Sequence, residues 1–182
     1  MKQKIAIQGE LGSYSHLAAI EIYDNSEVIP CKTFDQALSL TKKNKEVKAV
    51  IPIENSIAGR VADVHYLLPK YKLKIIGESF HKVSHCLIIL KGNKLENIKY
   101  IKSHSHAISQ CHDKINKYKF MPIIETDTAG AAKKLSEEKN TQSAVIASDL
   151  AAKIYDLEVI EKNFEDISGN TTRFLIMSSD NK

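Results

Sequence analysis

Short apolar runs alternate with helix-period segments almost throughout this chain, and that alternation leaves few architectures open. Strand-like runs lie at 4–8, 27–31, 48–53, 100–103, 122–125 and 143–147. Helical patterns lie at 14–23, 34–42, 61–68, 107–118, 129–138 and 148–155. Strands separated by helices argue for an α/β fold with largely parallel sheets. The pattern breaks once, near 77–83, where the runs 73–78 and 83–90 abut without a helix. Two lobes are therefore expected, one from residues 1–77 with about 160–182, the other from about 78–159. The last strand-like run, 173–177, needs a sheet to pair with and is expected to return to the first lobe, leaving a central cleft between the two.

Composition narrows the function. At 182 residues with 43% hydrophobic content, the chain can bury a full core. No apolar run approaches the ~20 residues that span a bilayer, and Gln8-Gly9-Glu10 interrupts any signal-peptide core. A cytoplasmic protein with no membrane partner is expected. The net charge of +4 is modest, the lysines are scattered and tryptophan is absent. That argues against nucleic-acid binding and suits a small anionic ligand. Cys31, Cys86 and Cys111 are widely spaced and form no CxxC pair, against a disulfide framework or a structural zinc site. His104 and His106, two residues apart in an extended segment, are expected to point to opposite sides, so no metal site is predicted.

The chemistry is expected where strands hand over to helices, the place at which open α/β sheets bind ligands. Gly9-Glu10-Leu11-Gly12-Ser13-Tyr14-Ser15-His16, Ser103-His104-Ser105-His106, Thr126-Asp127-Thr128-Ala129-Gly130 and Ser148-Asp149 all stand at such junctions. Each places polar side chains beside free N–H groups at a helix start, where negative charge is favoured. Each is equally a preferred N-cap. In Ala49-Val50-Ile51-Pro52-Ile53-Glu54-Asn55-Ser56 an apolar run stops at a carboxylate, an amide and a hydroxyl, either a helix cap or a site. Arg173, just inside the last apolar run, is a partner for Glu54, a fork for a substrate carboxylate, or a surface arginine at a strand end.

Taken together these segments resemble prephenate dehydratase. The resemblance rests on Gly12-Ser13-Tyr14-Ser15, on Ile51-Pro52-Ile53-Glu54-Asn55-Ser56 with Gly59 and Val61, and on Ser103-His104 followed by Gln110-Cys111. Thr128-Ala129 with Ala131-Ala132 and Asn170-Thr171-Thr172-Arg173-Phe174 complete it, in order, from about residue 5 to 178. It implies two α/β lobes around a central cleft, similar to the type II periplasmic-binding-protein arrangement. It also implies a carbon–oxygen lyase that converts prephenate to phenylpyruvate in phenylalanine biosynthesis, with loss of carbon dioxide and water. No cofactor is implied, because decarboxylation supplies the electrons that expel the ring hydroxyl. The family's essential threonine falls on Thr172 and its Glu-Asn pair on Glu54 and Asn55. All three are the expected catalytic residues, Thr172 meeting the leaving hydroxyl while Glu54 and Asn55 build and orient the pocket. Ser13, Tyr14, Ser15, Ser56, Ser103, His104, Gln110, Thr128, Ala129, Arg173 and Phe174 are the expected substrate-binding residues.

His106 stands where the family often has glutamine, a change of hydrogen-bonding inventory. No Glu-Ser-Arg-Pro motif is present, so the catalytic part without the phenylalanine-binding ACT domain is expected. The family tends to dimerise, which carries over as an expected homodimer. Either a histidine or a water is expected to supply the proton for the leaving hydroxyl. Arogenate dehydratase, a non-catalytic solute-binding module and a ligand-sensing domain are the competing readings.

Overall fold

A computed structural model describes residues 2–180. The chain folds as two compact units, the first taking the chain up to Val83 and again from Asn170, the second Ser84–Gly169. The first unit opens with β1 (Gln3–Gln8), α1 (Tyr14–Ile22), β2 (Ser26–Cys31), α2 (Phe34–Lys43) and β3 (Val47–Asn55). β4 (Gly59–Arg60), α3 (Ala62–Tyr71) and β5 (Lys74–Lys82) follow. The second unit holds β6 (Cys86–Leu90), β7 (Tyr100–Ser103), α4 (Ser105–Gln110), α5 (His112–Tyr118) and β8 (Met121–Ile124). It closes with α6 (Thr128–Glu138), β9 (Ser143–Ala147), α7 (Asp149–Ile154) and β10 (Leu157–Lys162), and β11 (Thr171–Ser178) returns to the first unit.

The first sheet runs β2-β1-β3-β11-β5, with β4 hairpinned onto β3. β1 pairs parallel with β2 and β3, but β11 is antiparallel to both β3 and β5. The second sheet, β10-β6-β9-β7-β8, is parallel only where β7 meets β8 and β9. Both sheets are thus mixed, where alternation alone suggests largely parallel ones. Apart from the β3–β4 hairpin, every antiparallel pair involves β6 or β11, the two strands that follow another strand with no helix between and so need no crossover.

Both faces of the first sheet are covered, which explains the near-continuous apolar runs of β1 and β3. Ile5, Ile7, Val50 and Phe174 pack with Ala18 and Ala19 of α1 on one face. Ala6, Ala49, Ile51, Leu175 and Met177 pack with Ala37 and Leu38 of α2 and Val64 of α3 on the other. Phe174, expected to bind substrate, is 1% exposed and belongs to this core, where burying such a ring is worth about 1.5–3 kcal/mol.

The expected unit boundaries shift. The junction at 77/78 falls inside β5, whose whole length pairs with β11, and 159/160 falls inside β10, which pairs with β6. Strand pairing therefore moves the junctions to Val83/Ser84 and Gly169/Asn170. The single helix expected at 107–118 is two helices meeting at Cys111.

Candidate active site

β3 runs past its apolar core and ends on Glu54 and Asn55. No helix starts there. Residues 56–58 form the turn of a hairpin, and Gly59 at φ +79° closes it in a conformation that favours glycine. The helix that follows, α3, has no side-chain cap. Asn55 shapes this turn, because its Oδ1 accepts from Ile57 N at 3.0 Å and Ala58 N at 2.9 Å. Ser56 fastens the turn to β11: its N donates to Thr171 O, and its Oγ accepts from Thr171 N, both at 2.9 Å.

Register then decides what faces what. β11 sets Thr172 opposite Asn55 on β3 and opposite His81 on β5. It sets Arg173 opposite Glu54 and Phe80. Side chains alternate along a strand, so Asn55, Thr172 and His81 share one face, and Glu54, Arg173 and Phe80 share the other. The Thr172 face is the one covered by α1. His81 Nδ1 lies 2.7 Å from Glu21 Oε2 of α1, and the His81 ring stands 6.3 Å from that of Tyr14.

Asn55 completes its bonding through Nδ2, which donates to Thr172 Oγ1 at 2.9 Å and to Asn170 Oδ1 at 2.6 Å. Thr172 is 8% exposed and Asn170 2%. A threonine hydroxyl offers one O–H and two acceptor lone pairs. The Asn55 bond occupies a lone pair, and the Thr172 O–H has no acceptor among the described residues.

The opposite face carries different chemistry. Arg173 is held by Glu78 on β5, Nε and Nη2 lying 2.8 Å and 2.6 Å from Glu78 Oε2, with the guanidinium 5.9 Å from the Phe80 ring. Glu54 is exposed and makes no side-chain hydrogen bond or ion pair among the described residues. It orients neither Arg173 nor Asn55, both of which have other partners.

Ser13 caps α1, its Oγ accepting from His16 N at 3.3 Å, and Ser15 is buried behind it. His16 Nδ1 in turn accepts from Gly12 N at 2.9 Å, and burial pushes the His16 pKa down, which suits a neutral acceptor. Tyr14 is the residue of this loop that meets the Thr172 face.

The remaining expected residues lie in the second unit. Ser103 is fully buried and donates to Ile146 O at 2.6 Å, a strand-to-strand tie. His104 caps α4, its Nδ1 accepting from His106 N at 3.3 Å. Because Ser105 already begins a helix, the two imidazoles do not point apart: they meet edge to face, 4.9 Å between centroids. Burial, then His106, pushes the His104 pKa down, while Asp127 pulls the other way. Among the described residues no three His, Cys, Asp or Glu side chains are grouped to hold a metal. Gln110 contacts the buried His85, Oε1 to Nε2 at 2.8 Å. Thr128 starts α6, Ala129 lies in the core, and Asp127 Oδ1 accepts from Gly130 N at 2.6 Å. That carboxylate already occupies the helix start expected to receive a ligand anion.

His81, Glu21 and Asn170 escape a reading of the sequence for function. Asn170 stands in the conspicuous Asn-Thr-Thr-Arg-Phe segment, but nothing around His81 or Glu21 signals a role beyond strand and helix surface.

The first unit thus presents an α/β scaffold on which one strand end holds a buried hydroxyl and a carboxamide in a fixed hydrogen-bonded row. The chain matches the family profile described as Prephenate dehydratase over residues 5–182. A bifunctional N-acyl-homoserine lactone acylase/prephenate dehydratase of Komagataeibacter europaeus is 40% identical over 174 residues, 96% of this chain and 62% of that protein. Arogenate dehydratase/prephenate dehydratase 2 of Arabidopsis thaliana, a chloroplastic protein, is 38% identical over 96% of this chain and 46% of its own length. The crystal structure of the Arthrobacter aurescens prephenate dehydratase in complex with L-Phe superposes with a TM-score of 0.88 at 26% identity, covering 96% of this chain and 60% of that one. The chain belongs to the prephenate dehydratase family, and it spans about half to two thirds of the length of these relatives.

Proposed function

We propose that the chain converts prephenate to phenylpyruvate. The observation that carries this reading is the Thr172 hydroxyl, buried and fixed by Asn55 with its own O–H uncommitted among the described residues. Prephenate is a dianion on a dihydroaromatic ring. The electrons of the breaking ring–carboxylate bond flow into the ring, the ring C–O bond breaks, and the ring aromatises as carbon dioxide and water leave. The protein has to hold the substrate and stabilise charge building on the departing oxygen. A donor aimed at that oxygen contributes about 10²–10³ in rate. Thr172 supplies it and Asn55 positions it. The electron flow is internal to the substrate, so the reaction calls for no redox cofactor. No helix among the described residues is long and apolar enough to cross a membrane, and a cytoplasmic homodimer is part of the same proposal.

Ultraviolet detection of phenylpyruvate from prephenate tests this, run beside arogenate, whose product would be phenylalanine. Turnover of prephenate by the parent, reduced about 10²–10³-fold in Thr172→Ala with an unchanged far-UV spectrum, is the expected result. No product from either substrate would overturn the assignment, and turnover of arogenate alone would move the substrate.

A further inference from the structure

The reaction proposed above has a proton requirement that Thr172 cannot meet alone. Prephenate dianion plus one proton gives phenylpyruvate monoanion, carbon dioxide and water. The ring–carboxylate pair ends in the aromatic ring, and the C–O pair leaves with the oxygen, which must be protonated to depart as water. A threonine hydroxyl hydrogen-bonds that oxygen well but is a very weak acid, so a proton it gives away has to be replaced in the same event.

We infer that His81, held by Glu21, is the proton source behind Thr172. The inference rests on the reading of the chain as a prephenate dehydratase. Three observations carry it. His81 is the direct cross-strand neighbour of Thr172 on the same face, a position at which Cβ atoms stand about 4.5–5.5 Å apart. Its ring is buried, 8% of the residue being exposed, yet one nitrogen is already assigned: Nδ1 donates to Glu21 Oε2 at 2.7 Å. Nε2 has no hydrogen bond among the described residues. A carboxylate bound to one imidazole nitrogen fixes the ring's orientation and leaves the other nitrogen for proton exchange.

The inventory at Thr172 matches. One lone pair of Oγ1 takes the Asn55 N–H at 2.9 Å, the second has no donor among the described residues, and the O–H is left for the leaving oxygen. Nε2 of His81 makes no hydrogen bond to Oγ1, so the relay runs through one intervening water. As the C–O bond breaks, the Thr172 proton passes to the departing oxygen, the water gives a proton to Oγ1, and Nε2 of His81 gives its proton to the water. The imidazole is left neutral against Glu21 and is recharged from water after product leaves. The Glu21 side chain is 55% exposed, which keeps the pair in contact with solvent. The other two histidines of the first unit are committed elsewhere: His16 accepts from Gly12 N at 2.9 Å, and His65 lies against Arg60 at the surface.

Steady-state kinetics of the full chain on prephenate test the inference with H81Q, E21Q, and H81A with and without added imidazole. The expected result for H81Q is a kcat lowered about 10²-fold with KM within about threefold of the parent. For E21Q a kcat lowered about tenfold is expected, and for H81A a partial restoration of kcat by imidazole. A purely structural His81 would shift melting temperature and KM and give no response to imidazole. An active parent with an unchanged kcat in H81Q, or a lost kcat in H81A that imidazole does not raise, overturns this inference and leaves the dehydratase reading standing. Should both His81 variants lose the parent's far-UV spectrum, E21Q decides, since Glu21 lies on a helix surface, and an unchanged kcat there overturns it. A parent that does not turn over prephenate removes the dehydratase reading and this inference together.

Discussion

Asn55 ties the β3 hairpin, β11 and Thr172 together, and its two substitutions separate these duties. Asn55→Ala removes four hydrogen bonds. The N–H groups of Ile57 and Ala58 are exposed and rehydrate at little cost. The acceptors on Asn170 and Thr172 are in residues 2% and 8% exposed and lose the N–H that Asn55 gives them. At about 1–3 kcal/mol for each buried acceptor that loses the Asn55 N–H, the expected loss is about 2–6 kcal/mol. That corresponds to a fall in melting temperature of roughly 5–20 °C. Asn55→Asp is the sharper test. Aspartate serves a turn as well as asparagine does, so it keeps the Oδ1 bonds to the turn, but it offers an acceptor where Asn170 and Thr172 need a donor. It is expected to cost at least about 1 kcal/mol and to lower kcat, because the Thr172 O–H would then turn toward the carboxylate. Circular-dichroism melting gives the stability, and amide hydrogen exchange along β3 and β11 locates the loss in the first unit. An Asp variant within about 0.5 kcal/mol of the parent, with exchange unchanged, would show that only the turn matters and refute the reasoning.

Two further outcomes follow from the second unit and from the buried histidines. A Cβ on Gly130 would lie 2.6 Å from Asp127 Oδ2, so Gly130→Ala displaces the α6 cap. Its loss of about 1 kcal/mol offsets a helix-propensity gain of similar size, leaving the single variant near neutral in urea unfolding. In an Asp127→Ala background the same change should stabilise by about 0.5–1 kcal/mol, and additivity of the two substitutions would refute the coupling. Burial also holds the pKa values of His16, His85 and His104 below the usual histidine range. A group whose folded pKa is depressed contributes stability above its unfolded value, and that stability is lost as pH falls through the folded one. The urea midpoint is expected to drop between about pH 6.5 and 5, above the range in which carboxylates titrate. A midpoint flat or rising on acidification through that window would contradict the assignment.

The α/β alternation was legible because β1, β3, β7 and β9 carry runs too short for helices, each next to a helical segment in sequence. The strand-to-helix junctions were legible too, but as caps: Ser13, Asp127 and Ser148 each accept a backbone N–H at a helix start, the ordinary reason for such residues to stand there. The hairpin after Asn55 was hidden by the helix-like run that follows, although Gly59 with its positive φ marked the turn. His104 and His106 follow the geometry of a helix start and not of an extended segment, so their rings meet instead of pointing apart.

What no local pattern could supply is the register that joins positions 55, 81 and 172. β11 inserts between β3 and β5, strands that precede it by about ninety residues or more, and a slip of one residue would exchange every face. In sequence Thr172 and Arg173 are adjacent and invite a joint role. In the sheet they point to opposite faces, Thr172 toward α1 and Arg173 toward Glu78. Asn55, His81 and Thr172 each read alone as a turn residue, a strand residue and a polar strand end. Only pairing through two antiparallel ladders makes them one row, with the hydroxyl fixed by an amide on one side and flanked by an imidazole on the other. The site is therefore a property of strand order, and any change that shifts β11 against β3 or β5 should remove it before it unfolds the unit.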